Sequence, residues 1–234
     1  MRSELLRAIV TSVLSDADAL PELLEAVARV AADYLTGLDE APVVPSVPTP
    51  LPRPLPPTGV GAQAMLAEFA ADWLPSLAAS AGPRFQAFVT GGTTPAALVG
   101  DWLTSVVDQN LVAAVGGADA LERQALTWIG ELLGVEALHG AFVSGATTAN
   151  LTCLATAREW AGRQVGVDVN EVGWRPGLAR VLAGAAHSSV LKCASVLGIG
   201  RASVESVPLL PGREALDPVA LEALLAEAEG PVIV

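Results

Sequence analysis

Two short motifs hold the residues best able to do chemistry: Ser144-Gly145-Ala146-Thr147-Thr148-Ala149-Asn150 and Ala186-His187-Ser188-Ser189. The first follows the apolar run Ala141-Phe142-Val143 and opens a helix-like segment. Small and hydroxyl residues at such a junction leave backbone N–H groups pointing outward, where the helix dipole favours an anion. The second places an imidazole just after another apolar run, Arg180-Val181-Leu182-Ala183. Strand ends are where open α/β sheets present ligand-binding groups. Together the motifs suggest a site for a phosphorylated aromatic cofactor. Taken singly, each also fits a plain structural role: a threonine-capped turn, or a hydrogen-bonded structural histidine.

Other reactive residues read differently. Lys192 is the only lysine in the chain, and covalent aldehyde chemistry needs such an amine. Yet Ser188 to Cys193 reads as a helix leading away from His187, which makes Lys192 a solvated helix residue. His139, in Leu138-His139-Gly140, reads as structural. Asp168, Asn170 and Glu171 form a polar loop with no acid–base or metal-ligand spacing.

The elements that must position the two motifs begin near residue 141. Apolar runs at 141–143, 179–183, 203–207 and 231–234 alternate with helix-like segments at about 148–161, 188–199 and 218–229, the last opening with Asp217-Pro218. That alternation predicts a parallel α/β sheet. Ahead of it, the first forty residues read as two helices. In the second, Leu20, Leu23, Leu24, Val27, Val30, Tyr34 and Leu35 recur at helical spacing. The proline-dense stretch 42–57 excludes helix and predicts an extended strap. Its interleaved Val43, Val44, Val47, Leu51 and Leu55 suggest that it lies on a surface. An amphipathic helix then carries Met65, Leu66, Phe69, Trp73 and Leu77 on one stripe. Thr94 and Pro95 predict a capped helix start, Asp119 a second cap, and Gly134 a helix stop.

Composition bounds the partners. The chain has 234 residues, 52% hydrophobic and 16% charged, with a formal net charge of −12. A core-rich acidic chain of this kind excludes a nucleic-acid backbone or an anionic membrane surface as the natural partner. The uncharged stretch from Ala137 to Ala157 is long enough to span a bilayer. Its embedded polar residues instead favour a buried strand–turn–helix. Met1 to Val13 carries Arg2, Glu4 and Arg7 where a secretory signal is apolar. Cys153 and Cys193 read as two buried free thiols in a reducing cytoplasm, too few for a structural zinc site.

In order and spacing these pieces resemble the group II pyridoxal-phosphate-dependent decarboxylases, the aromatic amino acid and glutamate decarboxylases among them. The resemblance runs through Ala31-Ala32-Asp33-Tyr34-Leu35, the proline strap, and Gly82-Pro83-Arg84-Phe85-Gln86-Ala87-Phe88-Val89-Thr90. It continues through Leu121-Glu122-Arg123-Gln124, the 144–150 turn and the 186–189 motif. It implies a fold-type I large domain, a three-layer α/β/α arrangement, over residues 81–234, preceded by a helical arm over residues 1–80. It further implies pyridoxal 5'-phosphate as cofactor, an L-amino acid as substrate, and a homodimer. Ala146, Thr147 and Thr148 would hold the cofactor phosphate, His187 would stack on the pyridine ring as the catalytic histidine, and Thr90 would contact substrate. Thr148 stands where many members carry a glutamate, so the local hydrogen bonding is expected to differ.

The resemblance also implies what this chain lacks. The lysine that joins the cofactor covalently, and the aspartate that pairs with the ring nitrogen, lie further along in the family. Decarboxylation is therefore expected of the parent enzyme and not of these 234 residues alone, which read as a truncated product or partial record. The family's seven strands are ordered 3-2-4-5-6-7-1, and the four apolar runs correspond to strands 1 to 4. The run at 141–143 is then expected about four strand spacings, roughly 19 Å, from the fourth. Two alternatives stand: a cysteine desulfurase or aminotransferase-like enzyme of the same cofactor class, and a non-catalytic dimerising fragment.

Overall fold

The computed structural model describes residue 10 and residues 14–54, 58–110, 116–135 and 139–234. The chain divides into two compact units, Met1–Asn110 and Leu111–Val234.

In the first unit, helix α1 spans Leu20–Thr36, as its apolar spacing predicts. Ala26 is its buried residue, while Leu20, Leu24, Val27 and Leu35 remain exposed. Helix α2 spans Ala62–Glu68. Both carboxylate oxygens of Asp16 accept from the Ala62 N–H at 3.0 Å, placing an acid at the positive end of α2. The single long helix expected through Leu77 does not form. A π-helical turn over Phe69–Trp73 and a 3₁₀ turn over Leu74–Ser76 follow instead. Pro75 has no N–H to continue an α-helical ladder, so the backbone changes pitch before it.

The strap is non-helical over 42–54; Leu55 falls outside the described residues. Its apolar side chains do not all lie down, since Val44, Val47 and Leu51 are exposed. Polar contacts hold it. Arg53 pairs with Glu68 at 3.1 Å and with Asp72 at 2.9 Å, and Ala79 N–H donates to Val43 O at 3.3 Å. Helix α3, Pro95–Val107, starts as predicted, with the Thr94 hydroxyl accepting from Ala97 N–H at 3.3 Å.

The second unit opens with helix α4, Ala118–Leu133, and Gly134 ends it in the left-handed conformation at φ +67°. Its N-cap is Gly117, not Asp119, which lies in the first turn and pairs with Arg123. Helix α5 runs Ala146–Gln164 and α6 is the single turn Val169–Val172. Strand β1, Arg180–Ala183, leads to α7, Ser188–Val196. Strand β2, Val204–Ser206, α8, Pro218–Ala226, and β3, Val232–Ile233, complete the unit. Asp217 caps α8 by accepting from Val219 N–H at 2.9 Å.

The strands pair in parallel in the order β2-β1-β3, with Val181 opposite both Val204 and Ile233. That is the predicted 3-2-4 arrangement. The run 141–143 is not a strand. Extended backbone becomes one only against a hydrogen-bonding neighbour, and no described residue pairs with it. Phe142 N–H instead donates to Glu122 Oε1 at 3.4 Å, and the phenyl ring is exposed.

The core joins α5, α6, α7 and the sheet through Ala161, Val169, Leu178, Val181, Ala194, Ile199 and Ile233. Gly162 is there for close approach: a Cβ on it would meet Val169 Cγ2 at 2.3 Å and Val167 O at 2.6 Å. Arg180 ties three elements, pairing with Glu205 on β2 at 2.7 Å and donating to Leu224 O of α8 at 2.8 Å. The hydrogen bond from Arg180 holds the Glu205 carboxyl below its ordinary value, and slight desolvation opposes it. Among the described residues no helix is long and apolar enough to cross a membrane.

Two outcomes follow. Gly162→Ala should destabilise the chain by about 1–3 kcal/mol in urea unfolding, because backbone and Val169 must both give way. A Glu205 carboxyl with a lowered folded pKa adds stability above the unfolded value of about 4.3, and loses it as pH falls through the folded value. The urea midpoint of the wild type should therefore exceed that of Glu205→Gln near neutrality. The gap should close in acid.

Candidate functional site

Helix α5 begins without a side-chain cap. Gly145, at its N-cap, is extended and offers no oxygen beyond its backbone, and Ala149 N–H is the first to find an intrahelical acceptor, Gly145 O at 3.0 Å. The three helices that follow differ: Asp168 caps α6, His187 caps α7 and Asp217 caps α8. The N–H groups of Ala146, Thr147 and Thr148 thus have no acceptor among the described residues, at the positive end of a 19-residue helix. Ala146 and Thr147 are exposed. The Thr148 hydroxyl lies 3.1 Å from Ser144 Oγ and is engaged within the turn.

His187 sits at the start of α7 because its ring does what a Ser or Asp usually does. Its Nδ1 accepts from Ser189 N–H at 3.2 Å and lies 2.8 Å from Ser189 Oγ. Ser189 Oγ in turn accepts from Asn150 Nδ2 on α5 at 2.9 Å. A second link runs from Cys193 Sγ to Thr147 O at 3.3 Å. Further along, Arg158 Nη1 donates to Leu197 O at 3.0 Å, putting a cation at the negative end of α7. Helices α5 and α7 therefore run side by side in one direction, with the open start of α5 and the His187-capped start of α7 at one end.

The two motifs singled out in the sequence are thus joined through Asn150 and Ser189. Thr90 belongs to the first unit, where its hydroxyl donates to Ala87 O at 3.2 Å. The two residues just before it, Phe88 and Val89, take positive φ of 55° and 56° with their side chains exposed. Lys192 is exposed along α7, as expected of a solvated helix residue. Cys193 is buried but Cys153 is exposed, against the expectation of two buried thiols. Cys153 lines an open groove of about 450 Å³ with Leu154, Ala157 and Ile233, which leaves its thiol accessible.

Asn150, Ser189 and Cys193 have structural parts that their sequence positions do not announce. The one signal for Asn150 was a polar amide inside an apolar helix run. The donor set fits a phosphorylated ring: several unpaired N–H groups and a hydroxyl for the anion, and a flat imidazole tied to the same helix.

A parallel α/β unit with an open helix start and an adjoining histidine is the arrangement that the fold-type I resemblance leads one to expect. The family described as the pyridoxal-dependent decarboxylase conserved domain matches residues 51–233. The chain belongs to that family. Tryptophan decarboxylase 1 of Oryza sativa subsp. japonica is 28% identical over 243 aligned residues, covering 93% of this chain and 46% of the relative. The aromatic-L-amino-acid decarboxylase of Bacillus atrophaeus is 38% identical over 80 residues, covering 33% of this chain and 17% of that protein. Among solved structures, Oryza sativa TDC with PLP and tryptamine superposes with a TM-score of 0.74 at 25% identity, over 93% of this chain and 50% of that one. Mouse CSAD gives 0.76 at 25% identity, over 92% and 47%. The chain spans about half the length of these relatives: the rice decarboxylase, the rice TDC structure and mouse CSAD.

The thiol geometry gives a direct check. In the native chain Ellman's reagent should titrate Cys153 quickly and Cys193 slowly, since Cys193 is 2% exposed and its Sγ is occupied by Thr147 O. Both should react together in denaturant.

Proposed function

We propose that this chain supplies the phosphate-binding turn and the ring-facing imidazole of a pyridoxal-phosphate-dependent decarboxylase, a carboxy-lyase acting on an L-amino acid. The observation that carries the reading is the uncapped first turn of α5, tied through Asn150 and Ser189 to His187. Ala146, Thr147 and Thr148 would hold the phosphate by their backbone N–H groups. The Thr147 hydroxyl has no partner among the described residues and could add a further bond, while that of Thr148 is held by Ser144. His187 would lie against the pyridine ring, exclude water from that face and meet the substrate. Thr90 would contact substrate from the segment that follows Phe88 and Val89. When bound, the cofactor supplies an electron sink for the charge left on the α-carbon by loss of CO₂.

Tryptophan and related aromatic amino acids are the natural first substrates to try, because tryptophan decarboxylase is among the relatives. With Lys192 exposed along α7, neither covalent attachment of the cofactor nor turnover is expected from the 234-residue chain alone. Residues 1–80 would act as an arm and residues 81–234 as the first part of the cofactor domain. Exposed apolar residues on α4, among them Leu121, Trp128, Leu132 and Leu133, support assembly as a homodimer. Two free cysteines suit a reducing cytoplasm.

The test is a titration with pyridoxal 5'-phosphate followed by ³¹P NMR and cofactor fluorescence. Saturable binding, displaced by inorganic phosphate and weakened at least tenfold in Thr147→Glu, is the expected outcome. A chimera joining this chain to the part of rice tryptophan decarboxylase that it does not cover should release CO₂ from an L-amino acid, and His187→Ala should slow it. Borohydride trapping of the cofactor on Lys192 would overturn the reading. So would binding indifferent to Thr147→Glu.

A further inference from the structure

We infer that Ser189 and Asn150 are positioning residues that fix His187 as the Nε2–H tautomer. A backbone N–H can only donate, so the cap bond from Ser189 N at 3.2 Å requires Nδ1 to be an acceptor. The side chains repeat the instruction. Asn150 Nδ2 donates to Ser189 Oγ at 2.9 Å, which commits a lone pair of that hydroxyl and leaves its proton for Nδ1, 2.8 Å away. Ser189 is 5% exposed, so its hydroxyl is shielded from water. A ring nitrogen that receives such donors carries no proton, and the neutral imidazole holds its proton on Nε2. Nε2 has no partner among the described residues, and His187 is exposed. The polar atom left to meet a ligand is therefore a donor, suited to an anionic oxygen.

The chain thus relays orientation from α5 to the ring: amide to hydroxyl to imidazole. No proton leaves or joins any group; each bond only selects which nitrogen is bare. What the ring faces rests on the proposed cofactor reading, whereas the tautomer does not.

The chain has two histidines, His139 and His187, so long-range ¹H–¹⁵N correlation of the imidazoles reads the tautomer directly, with His139→Gln for assignment. At pH about 8.5, where imidazoles are neutral, His187 should show a pyridine-like Nδ1 and a pyrrole-like Nε2. Ser189→Ala keeps the backbone cap but removes the hydroxyl donor, and the Nδ1–H share should rise roughly three- to tenfold. Asn150→Asp conserves size and reverses the relay, because a carboxylate accepts a hydrogen bond from the Ser189 hydroxyl and so turns an Oγ lone pair toward Nδ1. It should raise the Nδ1–H share at least as far. Circular dichroism reports whether each variant is folded; should Ser189→Ala fail to fold, Asn150→Asp decides alone. A wild-type ring with the tautomer ratio of free imidazole would overturn the inference, as would an unchanged ratio in Asn150→Asp. Failure of the cofactor reading looks different: added pyridoxal 5'-phosphate would leave the His187 resonances unmoved while the tautomer stayed as stated.

Discussion

The second unit depends on the side-by-side packing of α5 and α7 against β1. Asn150 meets Ser189 at one end of the pair and Arg158 meets Leu197 at the other. Ala194, between the two ties on α7, and Ala161, just past the Arg158 tie on α5, are nearly or wholly buried with Val181. Small residues at these places let two backbones approach closely, and Gly162 allows the same at the turn into α6. Once the helices are in register, the open start of one and the imidazole cap of the other share an end. The site is thus a by-product of packing rather than of a dedicated loop.

That arrangement divides labour between apolar and polar contacts. Burial of Val169, Val181, Leu182 and Cys193 contributes the bulk of the attraction. The hydrogen bonds contribute direction. Asn150 to Ser189 and Cys193 to Thr147 specify how far α7 slides along α5, a quantity that apolar contacts leave soft. Arg180 does similar work on the sheet, since its guanidinium spans β1, β2 and the end of α8.

Much of this could be read from the residues, and the failures have physical causes. Thr94 and Asp217 cap helices because capping is a local matter between a side chain and an N–H two or three positions on. The strand order followed from the family likeness once the alternation was seen. The segment 141–143 was misread because its character depends on a neighbour, not on its own apolar content. Phe69 to Trp73 keeps its apolar spacing through a π turn, so periodicity alone could not reveal the change of pitch. Cys153 was placed inside because a helix face is buried only if something lies opposite. The Asn150–Ser189 bond joins residues 39 apart, which no short-range pattern announces.

The surface of the chain combines two opposed features. Leu121, Leu132 and Leu133 on α4, with Val99, Leu103 and Val106 on α3, lie open, while the whole chain carries a net charge of −12. Mutual repulsion between copies opposes, without forbidding, the meeting of these oily faces when counterions are scarce. Added electrolyte shortens the reach of that repulsion to a few ångströms near 1 M. Raising the ionic strength therefore lowers the amount of this polypeptide that a solution can hold clear.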